Sequence, residues 1–476
     1  MPDSSSQTTV AIAGGGLAGL AAACALSDAG FHVTLFERRP FLGGRASSYE
    51  HPGTGEVVDN CQHVLFRCCT NLVAFYQRIG AADRLRWYDD MTFIEPGGRA
   101  SYMRSSALPA PLNIAPSFLG FPFLAVADKF AIARAIASLV FAPPSDDRRP
   151  FLDWARSTGQ TDTALRRFWE PILVSALNED LDRVSVFAAA KVVRDSIKSP
   201  AARHMGVPTA PLTEIYNLAG NYVRSRGGDL QFRTSVEAFH PDARGVRLQI
   251  TGREESFDYL VAALPFDVLD RILPESSESQ PLRQQLAQFE TSPITGIHLW
   301  FDRQISDLDH AVLLDRTVQW MFHKSRILDR FSGFSKMEAP KLSRSGGSYV
   351  ELVVSSSKSL VEKSRAEIIE LALGELREFF PAAREANLVK SIVIKEIKAT
   401  FSPRPGIEAL RPAPQTVWPR VFLAGDWTAT GWPATMEGAV RSGYLAADSV
   451  LRAAGVSKPS SLVSDLPATG LMRFFG

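Results

Sequence analysis

The sequence predicts a protein of mixed α/β and α+β class: a Rossmann-like nucleotide-binding domain joined to a second domain of mixed sheet and helix. Three observations predict it. A strand, glycine turn, helix, strand and acid follow one another at the N-terminus. A second strand-and-glycine unit, Arg420–Asp426, returns near the C-terminus. The 476 residues between and around them exceed what one hydrophobic core usually holds.

Val10-Ala11-Ile12-Ala13 is a short apolar run suited to a central parallel strand. Gly14-Gly15-Gly16-Leu17-Ala18-Gly19 follows, then a helix over Leu20–Ala29 and a strand over Phe31–Phe36 that ends at Glu37. Gly14 permits the tight turn, Gly16 lets the backbone approach a diphosphate, and Gly19 lets helix and strand pack closely. Glu37 is placed to accept from a ribose, and an acid there disfavours a 2′-phosphate. Arg38 follows it. Gly43-Gly44-Arg45 lies close behind, where backbone and guanidinium can meet a second phosphate.

At the far end, Arg420–Ala424 reads as a strand leading into Gly425-Asp426-Trp427-Thr428. A second turn, Gly431-Trp432-Pro433-Ala434-Thr435, then opens a helix at Met436 that carries Gly438, Ala439 and Gly443. Asp426 can accept from a cofactor hydroxyl; the plainer alternative is a helix N-cap. Trp427 and Trp432 are candidates to line a cavity or simply to pack around the turn.

These residues resemble the flavin amine oxidase and phytoene desaturase superfamily. The resemblance implies non-covalent FAD, with the first glycines and Glu37 on its ADP half. Gly43–Arg45, Gly425, Asp426 and Pro433–Ala439 fall on the flavin side, and the Val236 backbone on adenine. Longer motifs narrow it: Asp59–Leu65, Ser175–Asn178, Ala399–Pro403 and Gly425–Gly443 resemble the hydroxysqualene dehydroxylases. That family implies reductive removal of a hydroxyl from hydroxysqualene, giving squalene in hopanoid synthesis. An isoprenoid or carotenoid desaturase is the alternative; an amine oxidase and a non-enzymatic FAD or lipid binder stand further back. Cys61 departs from the family, which commonly has glycine there.

Dehydroxylation calls for a proton donor at the leaving hydroxyl. His63 is the candidate acid, Gln62 the orienting group and Asp59 the residue that fixes the loop or tunes His63. Each also has a structural reading, as a backbone-bonded histidine or a turn cap.

The cofactor domain is expected in three pieces, 1–90, 206–274 and 396–455. The middle piece holds a helix over Leu212–Ser225 and strands near Leu230–Arg233, Val246–Thr251 and Phe257–Ala262. The second domain is expected over 91–205, largely helical, and 275–395. The latter holds strands at Ile294–Phe301, Val318–His323 and Tyr349–Ser355 and a helix over Ser357–Phe380. Residues 456–476 form a flexible tail.

Segment 116–140 is rich in Phe, Leu and Pro, with charge only at Asp128, Lys129 and Arg134. It predicts the wall of a large apolar tunnel, a helix lying in a membrane surface, or ordinary burial beneath the neighbouring helices. A long isoprenoid substrate and an unidentified electron donor are the expected partners. Fifty-two basic against 51 acidic residues, net +1, argues against general nucleic-acid binding. Cys24, Cys61, Cys68 and Cys69 have no metal-ligand spacing and no disulfide pattern, so no metal is expected and a reducing cytoplasm fits, with the inner face of the membrane within reach. The polar start, Met1–Thr9, lacks a secretory pattern.

Overall fold

A computed structural model describes residues 7–145, 147–329 and 347–474. Met1–Ser6, the greater part of the polar start, lies outside them.

The cofactor domain is built on a five-stranded parallel sheet. Its order is Asp229–Phe232, His32–Glu37, Thr9–Ala13, Tyr259–Ala262 and Val421–Leu423. Three distant chain segments thus share one sheet. The sheet's alternation sorts its side chains. Val10, Ile12, Val33, Leu35 and Val261 face one core, whereas Ala11, Ala13, Phe36, Leu260 and Ala262 face another.

The helix Leu17–Asp28 lies on the first of these faces. It packs against both Met436–Ala453 and Leu212–Arg224, and eleven of its twelve residues are buried. A helix enclosed on all sides needs no polar stripe, which is why LAGLAAACALSD is apolar all round. It begins three residues before the expected Leu20, because the last glycine of the turn is already helical. The opposite face carries a three-stranded antiparallel sheet, Val236–Pro241, Val246–Ile250 and Arg253–Phe257, one strand more than a hairpin.

The second domain centres on a seven-stranded sheet. Its order is Leu388–Phe401, Thr291–Phe301, Ser348–Ser355, Trp320–Phe322, His310–Leu313, Met91–Ile94 and Ala100–Met103. Two strands therefore come from the segment expected to be largely helical. The expected boundary at 395/396 falls inside a continuous 14-residue strand that runs from one domain toward the other. Helices between Ala115 and Ile197 cover one face, and Arg365–Phe379 covers the other. That last helix begins eight residues later than expected. Ser364 caps it reciprocally: its Oγ accepts from the Glu367 N–H at 3.3 Å and its N–H donates to Glu367 Oε2 at 2.7 Å. Pro171 opens the helix Glu170–Leu177, preceded by a π-helical turn over Leu165–Trp169.

The tail segment 457–467, expected to be flexible, has no helix or strand but is tethered. Asn71 exchanges hydrogen bonds with the Val463 backbone at 2.7 and 3.0 Å, and Asp465 pairs with Arg441.

Candidate functional site

The Leu17–Asp28 helix starts at Gly16 with no side-chain cap and no acid in its first turn. Its first N–H groups and positive dipole end are therefore left for an anion. Gly44, at φ +62°, closes on this turn from the second glycine motif. A Cβ on Gly44 would stand 2.9 Å from Gly16 Cα, whereas a Cβ on Gly16 would meet only that neighbour, at 3.8 Å. Gly16 thus fronts open space, the room a diphosphate requires. The residues present fit a dinucleotide.

Glu37 ends the second strand beside this turn. Its Oε2 accepts from the Gly15 N–H at 2.8 Å and its Oε1 from the Arg39 N–H at 2.8 Å. A carboxylate has about four acceptor sites, so both oxygens retain capacity for a ribose. Thr234 donates its N–H to the Glu37 carbonyl at 3.0 Å, which sets Val236 two residues beyond this strand end. Arg38 is exposed.

Arg45 joins the chain ends. Its Nη2 lies 2.5 Å from Asp426 Oδ1, and its Nη1 donates to the Ala399 carbonyl at 2.8 Å. The guanidinium thus anchors Asp426 rather than standing free as a phosphate clamp. Asp426 is not a helix N-cap either: Thr435 caps Met436–Ala453 by accepting from the Gly438 N–H at 3.1 Å. Trp427 is a packing residue, buried and donating to the Leu264 carbonyl at 2.9 Å. Trp432 is buried beneath the Lys191 and Arg441 cations. Glu437 has no sequence signal of its own, yet it receives the N–H groups of Asn71 and Leu72 at 3.1 and 2.7 Å and so ties this helix to Thr70–Arg78.

The loop Asp59–His63 hangs from the same hub. Asn60 donates to the Arg45 carbonyl at 2.5 Å and accepts from the Ser47 N–H at 3.3 Å. Beyond it, Cys61, Val64 and Phe66 belong to the apolar core of the second domain, with Phe118, Phe121, Phe123, Phe168 and Phe322. The loop therefore spans the step between nucleotide turn and greasy core.

The structure reassigns the three candidate catalytic residues. Asp59 accepts from Lys324 Nζ at 2.8 Å, Ser48 Oγ at 2.6 Å and the Leu212 N–H at 3.3 Å. Burial alone would raise its carboxyl, but the lysine charge and these bonds hold it below the usual range. It caps a helix and pairs a lysine, with no bond to His63. Gln62 is spent on the protein, its Oε1 on Lys324 Nζ at 2.8 Å and its Nε2 on the His63 carbonyl at 3.0 Å. His63 is not a ready acid. Its Nδ1 lies 2.7 Å from the Cys61 carbonyl, which can only accept, so Nδ1 carries the hydrogen and Nε2 the lone pair. Burial lowers its pKa, outweighing the bond to Cys61.

Lys324, absent from the sequence-based candidates, organises this site. The remaining motif residues are joints: Asn178 donates to Thr400 Oγ1 at 2.9 Å and to the Ser292 carbonyl at 3.0 Å. Ser402 donates to buried Glu179 at 2.5 Å. All four cysteines are free thiols. Among the described residues no cluster of His, Cys, Asp and Glu could hold a metal.

Comparison with known proteins agrees with this geometry. The sequence pattern of the family described as flavin containing amine oxidoreductase matches residues 17–451. The chain is similar to the 15-cis-phytoene desaturase of Synechococcus elongatus, 27% identical over 464 residues that cover 93% of this chain and 95% of that one. It is 26% identical to the zeta-carotene desaturase of Synechocystis sp., over 93% and 97% of the two chains. Among solved structures, wild-type putrescine oxidase bound to putrescine superposes with a TM-score of 0.71 at 15% identity, over 94% and 99%. Cyclohexylamine oxidase from Brevibacterium oxydans gives 0.68 at 17%, also over 94% and 99%.

Proposed function

Since the chain belongs to the flavin-containing amine oxidoreductase family and is an FAD-dependent oxidoreductase, we propose that its substrate is a long apolar isoprenoid that exchanges hydride with the flavin. The observation that carries this reading is the Asp59–His63 loop, tied to Arg45 on one side and packed into the aromatic core of the second domain on the other. Bound FAD supplies hydride exchange at its ring. The protein holds the diphosphate on the Gly14–Gly19 turn, the ribose at Glu37 and the ribityl side at Asp426. The core then keeps water from the reacting carbon.

Desaturation is the reading favoured by the named relatives and by His63, whose free Nε2 suits a proton acceptor. Hydride loss from one carbon and proton loss from its neighbour leave a double bond, and an acceptor then reoxidises the flavin. A second reading, dehydroxylation of hydroxysqualene to squalene, rests on the motifs Asp59–Leu65, Ser175–Asn178, Ala399–Pro403 and Gly425–Gly443. It needs a proton on the leaving hydroxyl, which a neutral His63 does not supply. Anaerobic holoenzyme separates the two. Oxidised enzyme given phytoene should bleach its flavin and form a new double bond; reduced enzyme given hydroxysqualene should form squalene as the flavin reoxidises. Turnover of neither, with rapid oxidation of an alkyl amine, would refute an isoprenoid substrate.

The exposed face of Val126–Phe141 supports delivery from a membrane surface. Val126, Ala127, Phe130, Ala133 and Phe141 line that face with the exposed Arg134 among them, and Leu119 adjoins it in sequence; Phe130 is 77% and Val126 73% exposed. The segment thus divides: Phe118, Phe121 and Phe123 enter the core while these residues face outward. Among the described residues no helix is long and apolar enough to cross a membrane.

A further inference from the structure

The seven-stranded sheet gathers ionisable side chains that the hydride chemistry above does not use. His298 and Glu351 are direct cross-strand partners. Glu351 is paired on its other side with Phe322, two residues before Lys324. Asp59 reaches the same point from the loop. All four side chains are at most 4% exposed.

The partners are unequally shared. Lys324 Nζ donates to Asp59 Oδ2 and Gln62 Oε1, both at 2.8 Å, and stands 3.4 Å from Glu351 Oε2. Asp59 has Ser48 and the Leu212 N–H besides. Among the described residues Glu351 is held only loosely: besides the distant Lys324 it has the Gln62 backbone nearby, neither at good hydrogen-bond geometry, and its Oε1 lies 4.0 Å from His298 Nε2. His298 Nδ1 is occupied by the Tyr349 hydroxyl at 2.8 Å. Among the described residues, two carboxylates against one ammonium would leave a net negative charge sealed in the interior, which costs several kcal/mol or more unless one of them keeps a proton (on the order of the effective penalty for a buried ion). Asp59 is the better-solvated of the two.

We propose that Glu351 is the carboxyl that stays protonated in the folded holoenzyme at neutral pH, and that Lys324 relays its charge state to Gln62 and so to the position of His63. Glu351 and Lys324 are thus positioning residues for the loop beside the flavin; this rests on the FAD site described above. When Glu351 ionises, Lys324 is drawn toward it and its hold on Gln62 Oε1 weakens, and Gln62 in turn grips the His63 carbonyl. Burial, opposed by Lys324 and reinforced by the Asp59 charge, pushes Glu351 up to about 8. His298 is driven down to about 3 by burial and by Lys324, so it adds no cation. The other described groups around the cluster stay neutral or stand further off. Burial raises the Tyr349 hydroxyl and the Cys61 thiol, while Glu56, Glu396 and His51 act only at longer range.

The test compares wild-type holoenzyme with Glu351→Gln, which mimics the protonated acid. A carboxyl raised from 4.5 to about 8 binds more protons folded than unfolded, so wild-type stability falls as pH rises between those values. The two proteins should melt alike near the lower value, and the variant should melt higher at the upper one. The visible band of bound FAD should shift in wild type around the upper value and stay constant in the variant. A variant that melts below wild type in alkali, or a flavin band that titrates identically in both, would overturn the proposal. Infrared spectroscopy of the wild type alone decides the case if the variant does not fold. A protonated-carboxyl stretch that fades toward alkali supports the proposal, and its absence at neutral pH refutes it. Failure of the FAD reading would show separately, as protein purified without flavin.

Discussion

Arg45 and Asp426 approach to 2.5 Å although 381 residues separate them. Arg45 also holds the Ala399 carbonyl and, through its own carbonyl, Asn60. One residue, through its guanidinium and its carbonyl, therefore joins the second glycine motif, the long strand of the second domain, the C-terminal turn and the loop that carries His63.

The two partners are unequally exposed, 38% for the Arg45 side chain and 6% for Asp426. Removing the arginine leaves a nearly buried carboxylate unpaired; removing the aspartate leaves a guanidinium that water can reach. Arg45→Met should thus cost about 1–3 kcal/mol, and Asp426→Asn clearly less. Melting of the apoprotein and FAD retained through gel filtration report both. Equal losses would contradict this asymmetry.

Gly443 sits where the C-terminal helix crosses the first. A Cβ there would lie 2.2 Å from the Ala18 carbonyl oxygen, closer than any contact allows. Gly443→Ala should lower stability by about 1–3 kcal/mol and, by shifting the helix that supports the diphosphate turn, weaken FAD binding. Flavin fluorescence on dilution measures the second effect; unchanged affinity alongside a lowered melting temperature would show that the two helices move independently of the cofactor.

Acid should destabilise the fold through neutral histidines. Burial lowers His63, takes His323 to about 4 and takes His298 to about 3, from a normal 6.5. Such groups bind fewer protons folded than unfolded, so stability falls as pH drops from 6.5 toward those values. His323→Phe should flatten part of that decline in denaturant midpoints measured across the window. The same slope in the variant would mean that His323 does not contribute.

Membrane contact should depend on the outward face of Val126–Phe141. Burying one phenylalanine contributes about 1.5–3 kcal/mol, so Phe130→Ser should reduce partitioning onto neutral phospholipid vesicles by about tenfold or more. Vesicle co-sedimentation measures this, with Phe118→Leu, inside the core, as the control. If both variants bind as wild type does, the face serves something other than lipid.

Much of the nucleotide half was legible because its signals are local. Gly14–Gly19 and Glu37 lie within one strand–turn–helix–strand unit, and backbone geometry alone assigns their places. The apolar pattern likewise marked Leu212–Ser225, Ile294–Phe301 and Tyr349–Ser355, close to the elements that form. It was silent on Met91–Ile94 and Ala100–Met103, four-residue strands whose pairing partners lie far along the chain.

The chemistry of Asp59, Gln62 and His63 was not legible in that way. Sequence determined the glycine turns, the acid that ends the second strand and the two-domain character, since each follows from residues within a few turns of one another. Tertiary structure alone decided that Lys324, 265 residues from Asp59, would claim that carboxylate, and that His63 would carry its hydrogen on Nδ1 and its lone pair on Nε2. Protonation depends on burial and on the nearest charges, and both are set by chain segments that meet only in the folded molecule.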